Sequence, residues 1–353
     1  MHRILFLFTI VLVSKYVLAQ PKVQFVDKKQ IKNETEIDIT KINWRGLCVL
    51  NNKTVWISGT NGIVAISNDG GNNFILKQIA ACTKCDLRDI EVFDEKTALV
   101  INSGYPAVIF KTTDGGNTWI ETFRKNDSSY FLDAMDFWDN KRGMLLADPI
   151  DGKFVLLSTF DGGSSWSPVP VENCPVAYDN EAAFAASGTA IRCWGKNAFA
   201  FVSGGSQTKL FVFSNGIAKH EVTNVPLVSG KSSQGSFSLS KPFGSNLIAV
   251  SGGDYKDDMA ENSAFAVYRT KNPIWLRSNF IEPLTGYKSC IEFIGSNTLI
   301  TCGTQGVDLI TMKNQFFENT ELSNKSFNTV KVAKKGNAVF LVGNKGVIAK
   351  LVR

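Results

Sequence analysis

Histidine is almost missing from this 353-residue chain, which has only His2 and His220. That scarcity excludes histidine-built zinc sites and leaves little for a Ser-His-Asp triad. Proline is sparse at 10 residues, and the charged heptads of a coiled coil are absent. No Gly-x-Gly-x-x-Gly opens a helix, and no haem or copper ligand set is present, so no cofactor and no metal is expected. The formal net charge of +6 is small and scattered, which argues against nucleic acid as a partner. Long apolar runs are also lacking. The longest, residues 4–13, is too short to span a bilayer.

That run instead reads as the core of an export signal. His2 and Arg3 form a short basic start, and Val17-Leu18-Ala19 offers a cleavage site before Gln20. The expected organisation is a signal peptide over 1–19 and one folded unit over 20–353, secreted or periplasmic. Removing the leader takes away Arg3 and Lys15 and lowers the net charge by two. Four Asn-x-Ser/Thr sequons, at Asn33, Asn52, Asn126 and Asn324, are acceptors only in a glycosylating organism.

Seven cysteines is an odd count, so at least one thiol is free or pairs between molecules. Cys82-Thr83-Lys84-Cys85 has no second CxxC to complete a zinc ribbon. It also lies between strands rather than at a helix start, so a small loop staple or two inert thiols is the expectation. Cys290 and Cys302 flank a turn at Gly295-Ser296-Asn297 as cross-strand neighbours, close enough for a bridge. Cys174 and Cys193 are the remaining candidate pair.

What the sequence has in abundance is glycine, 29 residues, and a repeat of about 47 residues. Ser67-Asn68-Asp69-Gly70-Gly71, Thr112-Thr113-Asp114-Gly115-Gly116 and Thr159-Phe160-Asp161-Gly162-Gly163 are near copies. Each is followed by an aromatic residue, Phe74, Trp119 or Trp166. This is the Asp-box: the carboxylate accepts turn amides, glycine supplies positive φ, and the aromatic packs between sheets. The role of Asp69, Asp114, Asp161, Trp119 and Trp166 is therefore structural. Three short strands precede each box and one follows, which makes a propeller blade. Later repeats keep the strands and lose the box, with starts near Phe184, Phe237, Cys290 and Thr329. The last blade lacks an outer strand, while residues 23–26 form a strand without a blade. The fold expected is all-β, a seven-bladed propeller of four-stranded antiparallel blades, closed by the N-terminal strand.

Function in such a ring belongs to the central funnel. The candidate binding residues there are Arg45, Arg88, Asp133, Asp136, Asp148, Asp151, Arg192, Asp254, Tyr255, Tyr287 and Lys288. His220 follows Asn215-Gly216 in an outer-strand region and reads as a solvated surface residue.

The blade openings Arg45-Gly46-Leu47 and Arg88-Asp89-Ile90, together with the boxes, resemble the photosystem II stability/assembly factor-like propellers. The stretches at 131–138, 148–154 and 182–189, with Gly252-Gly253-Asp254-Tyr255 and Gly286-Tyr287-Lys288-Ser289-Cys290, resemble exported non-photosynthetic relatives. The resemblance implies a seven-bladed propeller and an arginine patch that holds a partner protein. Arg45 and Arg88 match that patch, and Lys288 occupies a similar place. Blade three opens instead with Asp133 and blade seven with Asn328, so the patch is incomplete and nothing here supports a photosynthetic role.

Three functions compete. The first is a non-catalytic scaffold, expected to be monomeric, that binds a protein or carbohydrate through its funnel. The second is a glycoside hydrolase, with Asp133 and either Asp151 or Asp254 as paired carboxylates; the Arg-Ile-Pro motif of sialidases is absent. An oxidoreductase ranks third.

Overall fold

The computed structural model describes residues 20–258, 264–276, 279–280, 284, 286–313 and 316–352. The expected leader over 1–19 and its cleavage lie outside the described residues.

Seven β-sheets form the molecule. Their inner strands are Trp44–Val49, Leu87–Val92, Leu132–Phe137, Ile191–Trp194, Gln234–Ser240, Lys288–Phe293 and Thr329–Val332. Each blade runs outward as a four-stranded antiparallel meander, in sequence order from axis to rim in blades one to six, and Glu181–Ala182 and Gly204–Gly205 extend the sheet of blade five on its inner side. Blades one and six gain a short parallel strand at the outer edge, Ile31–Asn33 and Asn279–Phe280. In blade seven the outer position is taken by Lys22–Phe25, antiparallel to Ile348–Val352. Among the described residues no helix is long and apolar enough to cross a membrane.

The middle strands are apolar without alternation, as in Val55–Gly59, Ala98–Asn102 and Ala198–Val202, where every residue is buried. A blade in a ring is covered by a neighbour on each face, so both sides of its pleat lie in core. The hydrophobic clusters accordingly sit between blades. One joins Trp56 and Val64 of blade one to Val100 and Phe110 of blade two. Another joins blades two and three through Leu99, Ile109 and Leu145. Each such side chain contributes roughly 1.5–3 kcal/mol by leaving water.

The three Asp-Gly-Gly turns join third to fourth strands at the rim. Asp114 accepts from the hydroxyl of Thr112 at 2.8 Å, the amides of Asn117 and Thr118 at 3.0 and 2.9 Å, and the hydroxyl of Thr118 at 2.6 Å. Asp69 and Asp161 repeat the pattern on Ser67 and Thr159. These bonds hold Asp114 and Asp161 down to about 2. Gly71, Gly116 and Gly163 take φ of 74–76°, which a side chain would strain. Trp119 packs edge-on against Trp56, and Trp166 against Phe137.

Blade four begins at Ile191, not near Phe184. The residues before it, 183–189, form no blade strand but cross the axis. Cys82 and Cys85 are joined by a disulfide. Cys290 and Cys302 are register partners, as their spacing requires, but remain buried thiols. The suggested Cys174–Cys193 bridge does not form. The Cys174 thiol lies near the carbonyl of Val169, while that of Cys193 lies near the carbonyl of Asp136. The four sequon asparagines are exposed. His220 is half-buried against the ring of Phe213, 4.8 Å away, rather than fully solvated.

Candidate functional site

Five inner strands carry a one-residue bulge at the same height: Arg45, Arg88, Asp133, Phe237 and Ser289. A bulge leaves its residue unpaired and re-aims the side chain. Four of the five, all but Asp133, line a funnel of about 480 Å³ on the face opposite the Asp-Gly-Gly turns. Asp148, Tyr255 and Tyr287 line it too, with Phe131, Phe184 and Asn328.

The floor of this funnel is residues 182–189, Ala-Ala-Phe-Ala-Ala-Ser-Gly-Thr, which reach five different blades. The amide of Ala183 donates to Asp148 of blade three at 3.0 Å. Arg45 of blade one donates to the carbonyl of Ala186 at 3.2 Å, and Arg88 of blade two to that of Ala185 at 3.5 Å. Ser187 donates to the carbonyl of Ser289 in blade six, and Thr189 to Ser238 in blade five. Only small side chains fit on a ring axis. A Cβ on Gly188, at φ +64°, would lie 2.2 Å from the Asp89 carboxylate. The one large residue, Phe184, turns out of the axis and stacks on Phe237 at 4.0 Å.

The funnel is two-sided. One wall is aromatic: Phe237 meets Tyr287 edge-on at 4.8 Å and Tyr255 at 6.1 Å. The other is cationic. Arg88 pairs with Asp86 at 2.7 Å and lies over the Phe131 ring. Burial, then the neighbouring Arg88 guanidinium, lowers the pKa of Arg45. Among the described residues Asp148 is the one carboxylate in the lining, and burial raises it to about 6. Under the floor, Asp133 is fully buried and neither carboxyl oxygen has a hydrogen-bond partner among the described residues. Burial first, then the charge of Asp148, pushes it well above the usual carboxylate range.

The other expected residues lie elsewhere. Lys288 does not extend the arginine patch, being fully buried and paired with Asp308 at 2.5 Å. Asp136 and Arg192 lie beyond the plug, at the far end of the channel, where a cavity of about 170 Å³ is lined by carboxylates and cations. Four of those charges are paired, Arg192 with Glu292 at 3.0 Å across the axis and Lys334 with Glu91, and Asp136 accepts the amide of Cys193. Asp151 is exposed on a hairpin tip at φ +50°. Asp254 is held by Gln234 at 3.0 Å and by the amide of Lys256. Asp133, Asp151 and Asp254 therefore do not share a cleft. Sequence reasoning passed over Asp86, Phe131 and Phe237. Among the described residues no cluster of side chains could hold a metal ion.

No family profile and no curated protein sequence matches this chain. Solved structures do. The structure described as YCF48 bound to D1 peptide is similar at a TM-score of 0.61 and 14% identity, over 89% of this chain and 93% of that one. YCF48 from Cyanidioschyzon merolae is similar at 0.57 and 12%, over 93% and 98%. A catalytically inactive virginiamycin B lyase from Staphylococcus aureus with quinupristin is similar at 0.59 and 11%, over 95% and 100%. These likenesses show the fold, and it is one that hosts both binding proteins and an enzyme.

Proposed function

We propose that this chain is an exported, non-catalytic scaffold that holds a segment of another polypeptide in its funnel. The observation that carries this reading is chemical. Arg45 and Arg88 already bind peptide backbone, the carbonyls of Ala186 and Ala185 in the plug. A guanidinium has five donors, and one carbonyl uses few of them. The remaining donors face a cavity whose opposite wall is aromatic, so a polypeptide with acidic or carbonyl-rich and apolar parts meets both walls. The likeness to YCF48 bound to D1 peptide supports a peptide-binding use of this fold. Glycoside hydrolysis is less well supported, because it needs two carboxylates about 6.5–9.5 Å apart in the inverting case. Among the described residues, Asp148 is the single carboxylate in the funnel lining.

The test is capture on the immobilised protein from its native extracellular or periplasmic fluid, beside an Arg45→Gln/Arg88→Gln variant. Glutamine removes the charge and keeps a polar side chain, and a thermal melt verifies that the ring stays folded. The wild type should retain a polypeptide that salt elutes, and the variant should retain little. Equal capture by both, or retention of oligosaccharide alone, would contradict the reading.

A further inference from the structure

The opposite face carries a separate feature that the funnel reading does not use. In an antiparallel meander the turns joining strands one to two and three to four lie at the same end of the blade. Hydrogen bonds lace them together, as Gly216 to Asn197 in blade four and Thr270 to Asn246 in blade five. The turn of blade seven joins the same face of blade one through Lys334 and Lys335, whose amides donate to Val49 and Leu50.

Around this face the charge is uneven. In blades one to three the turns mix both signs, with Asp94, Glu95 and Asp139 beside Lys96 and Lys141. In blades four to seven the turns at 195–197, 214–219, 241–246, 270–273, 295–297 and 333–338 contain no aspartate or glutamate. They carry Lys196, Lys219, Lys241, Lys271, Lys334 and Lys335. Of these, only Lys334 forms a salt bridge among the described residues. Large apolar side chains stand among them. Phe243, at the tip of the 241–246 turn, is 105% exposed. Ile274 and Phe316, each opening an outer strand beside its turn in blades five and six, are more than half exposed. The fold gains nothing from a phenylalanine held in water.

We propose that this face of blades four to seven docks on an anionic lipid bilayer. The exposed Lys196, Lys219, Lys271 and Lys335 meet the headgroups, and Phe243, with Ile274 and Phe316 beside it, enters the interface. Unneutralised cations alone fit any polyanion. Apolar tips projecting from among them fit a surface with a hydrocarbon layer beneath its charge. Docking this way would turn the funnel outward from the membrane.

Sedimentation with vesicles tests this. Wild type, Lys271→Glu/Lys335→Glu and Phe243→Ser are each mixed with vesicles of pure phosphatidylcholine, and with vesicles one-third phosphatidylglycerol. All three proteins carry the same N-terminus, so differences between them report on this face. All three substitutions are at exposed positions, and a thermal melt verifies that the fold is kept. Wild type should bind the anionic vesicles, bind phosphatidylcholine at least tenfold more weakly, and release in high salt. The double charge reversal should weaken binding by about twenty-five-fold or more, at roughly a factor of five for each lysine lost. Phe243→Ser should weaken it by several fold without changing the salt dependence. Equal binding by wild type and charge reversal, or equal binding to both vesicles, would overturn the proposal. Retention by heparin with no binding to anionic vesicles would overturn it in favour of a soluble polyanion.

Discussion

Burial keeps Asp148 protonated to a midpoint of about 6 and Asp89 to about 7, well above an exposed aspartate. An unfolded chain would release those protons near pH 4, so folding stability falls as pH rises from about 4 to 6, by about 1.4 kcal/mol per pH unit for each such group. Asp114 and Asp161 act in the opposite sense. Their stabilisation is present above pH 4 and is lost as pH falls towards 2. Asp148→Asn should therefore flatten the decline between pH 4 and 6 and leave the acid limb unchanged. Urea midpoints across that range measure it, and an unaltered slope would mean that Asp148 ionises like a surface residue. Asp114→Ala should lower the melting temperature, because four hydrogen bonds in a tight turn are lost. Partner capture should not change, since the turn lies on the face away from the funnel. Lost capture at an unchanged melting temperature would show that the turn is itself a site.

At the scale of elements, the plug bonds to five blades and Lys22–Phe25 pairs with the third strand of blade seven. Gly188→Val places branched carbon against the Asp89 carboxylate and the plug cannot keep its path. The variant should melt several degrees lower and lose capture along with it, because Arg45 and Arg88 are oriented by the plug. Removal of residues 22–25 should leave Ile348–Val352 as a bare edge and lower stability or solubility. A truncated chain that melts with the wild type would show that this strand clasps nothing. The blades were legible in sequence because their signal is local and repeated: the Asp-Gly-Gly turns and the apolar triplets of strands recur at a fixed period. The plug was not. Residues 182–189 are small and apolar like a strand edge, and only the ring geometry shows that they cross the axis instead of opening blade four. Arg45 and Arg88 were legible as equivalent positions because each follows the same place in the repeat. Lys288 carries the same charge one residue before the equivalent place, which Ser289 holds, and it pairs instead with Asp308, two strands outward. That contact is tertiary and leaves no trace in the spacing.

For the molecule as a whole, the two faces of the ring differ in chemistry. One holds a funnel with an arginine wall, an aromatic wall and a floor made from the chain's own backbone. The other is basic over half its turns. Between them lie the plug and the ion pairs Arg192–Glu292 and Lys334–Glu91. The central claim is that the funnel is where a partner polypeptide sits. A photo-crosslinking side chain in place of Tyr255, which is on the funnel wall and 45% exposed, tests it most directly. The same side chain in place of Ile120, on the outer strand of blade two, serves as the comparison. With native partner fluid and light, the account predicts one discrete cross-linked polypeptide at position 255, none at 120, and loss of the product with Arg45→Gln/Arg88→Gln. Cross-linking at 120 alone, or at 255 with undiminished yield in the arginine variant, would contradict it.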